Sequence, residues 1–367
     1  MKITIAERLH PFSHRPGTQC PIPLSTWQST IYPTRIILQK IDKPSQSFIL
    51  DLSLQGPMKD FTAEIDLEKA VVRVFGSTPA GYLRYEVRRS SDGILFTFEK
   101  IPGAVLNCTL QGKAVSYQVT QKETLLVPGP AEAAPAAIPT ERLSLGMHKS
   151  QDWEMVLRRF DLREIFPVLL RLGAMVPSVH PLRSSSGTLG LLTAFQEACA
   201  SRAKLQVHAA CEQWLLASFA GILVPTLNDT LHQGILPSSA PVLEGPSAIS
   251  HLIEGSQLVR SLFFNETEEH WEILPCLLPA FDSGRLINLS TQHEENISLE
   301  WSKHQIKKVM IQTRAPRTQV LRFPKEIRSL RLRKSLKEKG RVVDLQAGQT
   351  TIDLPAHAQL FLDCFKK

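Results

Sequence analysis

The sequence predicts an α+β multidomain fold: an N-terminal antiparallel β-sandwich over residues 1–127, a short all-helical middle region over 141–272, and a C-terminal β-sandwich over 273–367. Three observations predict it. Both ends of the chain are filled with short runs of β-branched and aromatic residues separated by turn residues. In the middle, apolar residues recur at three- and four-residue spacing. Between the first part and the middle lies "PGPAEAAPAAIPT", residues 128–140, a Pro/Ala linker from which no core can be built.

The elements justify themselves in order. "RIILQKI", "SFILDLSL", "FTAEIDL", "AVVRVFG", "YLRYEVRRS" and "GILFTFEKI" read as strands, with Lys-Pro-Ser, Gln-Gly-Pro, Gly-Ser-Thr-Pro and Ser-Ser-Asp-Gly between them. After the linker, "SQDWEMVLRRF" opens on Ser150, which can cap a helix. "DLREIFPVLLRLG" opens on Asp161 with Glu164 three residues on, a capping-box spacing, and stops at Gly173. The stretch from Gly187 to Leu223 holds two helices, and "SAISHLIEGSQLVRSLFF" holds another. Strand-like alternation then returns in "LINLS", "ISLEWS", "KKVMIQT", "TQVLRF", "SLRLRK", "GRVVDL", "TTIDL" and "AQLFLDCF".

At 43% hydrophobic and 21% charged residues the chain has the balance of a globular protein. No apolar run reaches the roughly 18 residues of a membrane span. The start, "MKITIAERLHPFSHRPGT", has no apolar core of a secretory leader. The six cysteines are scattered, with no CxxC and no Cys/His spacing that suits zinc. Reduced thiols in a cytoplasmic setting are expected, with no metal and no cofactor. The net charge of +7 is uneven. Lys303–Arg341 carries fourteen Lys/Arg and two Glu, a local +12, which leaves −5 for the rest of the chain.

The stretch "WEILPCLLPAFDSGRLINL", Trp271–Leu289, carries two prolines in an apolar run where helix gives way to sheet. Together with "ISLEWSKHQIKKVMI" and the late "LQAGQTTIDL", it resembles the end of the α/α-toroid glycoside hydrolases of the α-L-fucosidase type. There a last toroid helix runs into a Leu-Leu-Pro-Ala-Leu-Pro segment and a strand with a polar-apolar-Trp-Lys pattern. Residues 61–100 resemble that family's N-terminal β-domain more weakly. Each proline removes a donor and restricts the residue before it, which holds the chain extended. The middle departs from the family. Twelve helices need about 200 residues at ordinary helix and loop lengths, and 141–272 numbers 132. Either a reduced helical layer remains or the catalytic middle has largely gone.

The resemblance implies an inverting mechanism, which needs two carboxyl groups about 6.5–9.5 Å apart. The place of the family's Ile-Asp-Gly motif is taken by "VLEGPSAIS", which nominates Glu244 as base or water-orienting group; otherwise it is a loop Glu near a helix N-terminus. "LGMHKSQDWEMVLRRF" is polar-dense near the expected junction. Asp152 is the second catalytic candidate there, with His148, Trp153 and Glu154 as sugar-binding candidates: planar polar groups for hydroxyls and an indole for the apolar ring face. The plainer reading is a helix start anchored by Trp153. Asp229, in "TLNDTLHQ", is a further substrate-binding candidate. In "RFPKEIRSLRLRKSLKEKGR" a strand would place Arg331 and Arg333 on one face and Leu330 and Leu332 on the other.

The expected function is that of a glycoside-hydrolase-like protein that hydrolyses or binds carbohydrate. One alternative is an inactive binding or assembly module of the same descent. The other is polyanion binding through 303–341. With Phe323 the only aromatic among those basic residues, a stacking platform for nucleic acid is not expected.

Overall fold

The computed structural model describes residues 3–111, 115–129, 138–147, 149–177, 187–227, 248–335 and 337–367. The N-terminal part lays down β1 (Phe12–Ser13), β2 (Thr18–Pro21), β3 (Trp27–Tyr32), β4 (Arg35–Lys40), β5 (Ser47–Leu52), β6 (Lys59–Asp66), β7 (Val71–Thr78), β8 (Gly81–Ser90), β9 (Gly93–Lys100), β10 (Leu106–Gln111), β11 (Val115–Val119) and β12 (Thr124–Pro128). They form two antiparallel six-stranded sheets, ordered β1-β6-β7-β8-β9-β12 and β11-β10-β5-β4-β3-β2. Consecutive strands pair as hairpins because short turns join them. Period two decides what is buried: Leu106, Cys108 and Leu110 of β10 face inward, while Asn107, Thr109 and Gln111 face water. Leu38, Leu50 and Cys108 of one sheet share an apolar cluster with Ile65, Tyr85 and Phe96 of the other.

Beyond the linker come β13 (Arg142–Ser144), α1 (Trp153–Arg159), α2 (Leu162–Ala174), α3 (Gly187–Ser201), α4 (Lys204–Ser218), the short hairpin β14 (Phe219–Ala220) and β15 (Val224–Pro225), and α5 (Ile249–Phe263). The cap of α1 is Asp152, not Ser150: its Oδ1 accepts the Glu154 N–H at 3.1 Å. Asp161 caps α2 as expected, accepting from the Arg163 N–H. The capping box is not closed. Glu164 instead accepts from Nε and Nη2 of Arg159, at 2.7 and 2.8 Å. Arg171, buried in α2, donates to the carbonyls of Leu67, Pro139 and Glu141, so one side chain ties the first sheet, the linker exit and the helix.

Glycines bring the helices close. A Cβ on Gly173 of α2 would strike Ser256 and the Leu252 carbonyl of α5, and one on Gly255 would strike the Trp214 ring of α4. Trp214 is fully buried, stacks on Phe195 at 5.4 Å and donates its indole N–H to His251 Nδ1 at 3.1 Å. The other His251 nitrogen meets Thr188 Oγ1 at 3.2 Å, which assigns the proton to Nε2.

After α5 the chain does not run straight into the large sheet. A hairpin intervenes, β16 (Phe264–Glu266) and β17 (His270–Ile273), and then the proline segment. There follow β18 (Gly284–Ser290), β19 (Asn296–Ser302), β20 (Gln305–Gln312), β21 (Arg317–Arg322), β22 (Ser329–Arg333), β23 (Arg341–Asp344), β24 (Gln349–Leu354) and β25 (Gln359–Lys366). They form a seven-stranded sheet, β13-β18-β19-β20-β25-β22-β23, and a four-stranded one, β16-β17-β21-β24, whose β17–β21 pair is parallel. Pro275 and Pro279 lie on the crossing between these sheets. Phe281 ends the crossing, packed on Phe166 and Phe263, and its carbonyl accepts the Trp301 indole N–H at 3.1 Å.

Candidate functional site

Three of the sequence-nominated residues, His148, Asp229 and Glu244, lie outside the described residues. The other three are consecutive at the start of α1. Asp152 is the helix cap, and Phe12 forms an isolated bridge with it. Trp153 is 2% exposed, and its indole nitrogen has no partner among the described residues. Glu154 is half-buried. Trp153 lines a pocket of about 230 Å³ together with Lys149, Gln151, Arg163 and Glu164. The polar groups there are largely committed. Gln151 accepts from the His10 N–H at 2.6 Å and donates to the Arg8 carbonyl at 2.7 Å. Arg163 holds Asp161 at 2.7 Å.

A wider cleft lies elsewhere, with a volume of about 710 Å³. Six stretches far apart in sequence build it. Arg202 and Lys204 come from the turn between α3 and α4. Glu272–Pro275 and Leu277 come from β17 and the proline segment. Lys303–Ile306 is the β19–β20 turn. Arg322–Ile327 follows β21, and Gln349 and Phe365–Lys367 complete the wall. The segment that carries the family resemblance is therefore one wall of the cleft.

Glu272 is the buried charge of that wall. Its side chain is 6% exposed. A carboxylate in such a place needs partners. Arg202 Nη2 donates to both its oxygens, at 2.7 and 2.8 Å, and Asn265 Nδ2 donates to Oε2 at 2.9 Å. Burial alone would push this carboxyl up; the hydrogen bonds from Asn265 and Arg202, with the Arg202 charge, outweigh it and hold the group below the ordinary carboxylate range. His270 Nε2 stands 3.4 Å from Glu272 Oε1 but only 3.0 Å from Arg322 Nη1, and its Nδ1 meets Thr267 Oγ1 at 3.1 Å. A neutral ring with its proton on Nδ1 satisfies the shorter contacts: it donates to Thr267 and accepts from Arg322. Two anchored arginines result along the wall, Arg202 on Glu272 and Arg322 on His270.

The charge around these arginines is one-sided. Arg202, Lys204, Lys303, Arg322, Lys325, Lys366 and Lys367 line the cleft against Glu272 and Glu326. Among the described residues, no carboxylate lies within ion-pair distance of Lys204, Lys303, Lys325, Lys366 or Lys367. Elsewhere in the basic segment several cations are paired. Arg331 and Arg333 both hold Asp363 of β25, Lys308 holds Glu300, and Arg317 holds Glu295. Leu330 and Leu332 are buried, as the alternation requires.

One more cluster has ligand-like chemistry. His10, Glu64 and Asp66 bring their donor atoms within 4.8 Å of one another. Arg73 already supplies the positive charge there, at 2.7 Å from Glu64, 3.1 Å from Asp66 and 2.9 Å from Glu86. This is an ion-pair network that fastens the N-terminal arm to β6, β7 and β8.

The cleft residues were missed from sequence. The available signal was Glu272 itself, a charge between Trp271 and Ile273 in an apolar run, which announces a buried carboxylate. Its partners lie 70 residues away at Arg202 and 7 away at Asn265, and no local spacing connects them. No helix among the described residues is long and apolar enough to cross a membrane. In comparisons with known proteins, no family model and no curated protein matches the chain.

Proposed function

We propose that this protein is a carbohydrate-binding module of glycoside-hydrolase descent that holds its ligand in the 710 Å³ cleft without hydrolysing it. One observation carries the reading: the proline segment and β19–β20 turn that resemble the hydrolase family are the segments that wall the cleft. The size suits a short oligosaccharide. The planar polar groups of Arg322, Gln305 and Gln349 suit sugar hydroxyls, and Phe365 offers an apolar edge. In the same reading the two N-terminal sheets are a sandwich, the seven- and four-stranded sheets are a second, and the helices between them are the remnant of a toroid. Six free thiols fit a cytoplasmic setting.

Binding is favoured over hydrolysis by the state of the one buried acid of the cleft. Inversion needs a carboxyl that stays protonated and a carboxylate with a lone pair open to water. Glu272 is held ionised, with both oxygens engaged. Glu326 is exposed. Asp152 is engaged as a helix cap. The test is calorimetry with oligosaccharides alongside product analysis. Saturable binding without cleavage supports the reading. Cleavage abolished by Glu244→Gln would replace it with inverting hydrolysis, and no binding to any oligosaccharide would remove it.

A further inference from the structure

We propose that the occupant of this cleft is an oxyanion-bearing saccharide, its carboxylate, phosphate or sulfate group gripped between Arg202 and Arg322. The inference rests on the carbohydrate reading for the saccharide and on the cleft's own electrostatics for the anion. Seven cationic side chains face two carboxylate side chains around one concavity. Like charges so gathered repel, and a cleft focuses their field on whatever enters. Five of them are lysines with no counter-charge among the described residues. The chain outside Lys303–Arg341 is net negative, and Arg331, Arg333, Lys308 and Arg317 within it are paired. The cleft itself carries an excess of positive charge where a ligand would sit.

The two arginines are also set in advance. Glu272, itself held by Asn265, anchors Arg202 by its Nη2, and Nε and Nη1 have no partner among the described residues. Arg322 spends Nε on Gln349, at 3.2 Å, and Nη1 on His270, at 3.0 Å, which leaves Nη2. Thr267 fixes the His270 ring from behind. A guanidinium already held presents its remaining donors, Nε and Nη1 on Arg202 and Nη2 on Arg322, at restricted positions to an oxyanion. Glu272 does not act as a competing anion for the ligand. It lies buried behind Arg202 and orients it.

Calorimetry on the full chain tests this with four probes: a sulfated heparin-derived hexasaccharide, a galacturonate hexamer, neutral maltohexaose and inorganic phosphate. Lys303→Glu/Lys325→Glu reverses two exposed cleft charges outside the Glu272 network. Lys307→Glu, outside the cleft, controls for general charge. The expected result is that an acidic hexasaccharide binds about tenfold or more tighter than the neutral one, the step that 1.4 kcal/mol corresponds to. The cleft double variant should lose about that factor and Lys307→Glu should not. The arms separate sulfate from carboxylate. If the neutral hexasaccharide binds equally well, the inference is overturned and the carbohydrate reading stands. If phosphate alone binds as tightly as the acidic hexasaccharides, the anion grip stands and the carbohydrate reading falls. If Lys307→Glu weakens binding as much as the cleft variant, the attraction is general and the inference is overturned. If nothing binds, both fall.

Discussion

Replacing Arg73 by Met removes the cation at the centre of three carboxylates. Arg73 sits on β7 directly opposite Glu64 on β6 and Glu86 on β8, with Asp66 two residues along β6. The side chains are 10%, 17%, 17% and 3% exposed for Arg73, Glu64, Glu86 and Asp66, too little for water to screen the attraction away. Removing one partner of a buried ion pair costs about 3–5 kcal/mol, because the charge left behind is uncompensated. Here Glu64 and Glu86 keep some water, which places the expected loss near the lower end, about 3 kcal/mol at pH 7. The pH dependence gives the mechanism away. In the native protein burial pushes the Asp66 carboxyl up, but the Lys69 amide, His10 and Arg73 together hold it below its ordinary value. Its contribution is present above about pH 4 and is lost only as pH falls through the lowered value. Without Arg73 the carboxylates repel and take up protons more readily, so the variant's deficit shrinks at pH 5. Urea unfolding of both proteins at pH 7 and pH 5 reads this directly. A loss under about 1 kcal/mol at pH 7, or the same loss at both pH values, refutes the reasoning.

Three further outcomes are expected. A hydrogen bond to Glu64 raises His10 above its ordinary value against the opposing effect of burial, with the Asp66 charge adding to the rise. This clamp on the N-terminal arm is fully present below about pH 6.5 and fades as pH rises through the raised value, so proteolysis after residue 10 should quicken with pH and lose that dependence in His10→Asn. His251 acts in the opposite sense: burial pushes it down to about 3, so its contribution holds above about pH 6.5 and drains away as pH falls toward that value, visible as a falling thermal midpoint. Gly255→Ala drives a methyl into the Trp214 ring and should cost about 1–3 kcal/mol of stability with loss of the buried tryptophan's fluorescence signature, whereas Asp152→Ala costs only the cap, about 1 kcal/mol.

Much of the secondary structure was legible because it is written locally. The alternation in "SLRLRK" sets β22, and Asp161 and Gly173 bracket α2 to within a residue. Legibility failed where pairing is long-range. Nothing in "RLS" says that residues 142–144 will join the far sheet through Leu143 and Leu286. The β16–β17 hairpin was hidden by the apolar run of α5 that precedes it, and the parallel β17–β21 pair joins His270 to Val320. Ser150 lost the cap to Asp152 because the first helical residue is Trp153, which packs inward. The cleft was illegible for the same reason as β13: Arg202, Glu272 and Arg322 meet only in the folded chain.

The most direct test of the central claim is methyl-labelled NMR on the full chain during titration with an acidic hexasaccharide. Ile273, Ile306 and Ile327 line the cleft, while Leu145 and Val156 line the pocket beside Trp153. The expected result is shifts concentrated in the three isoleucine methyls, saturating with ligand, and quiet signals at Leu145 and Val156. Shifts centred on Leu145 and Val156, with the three isoleucines unmoved, would place the site at Trp153 and contradict it.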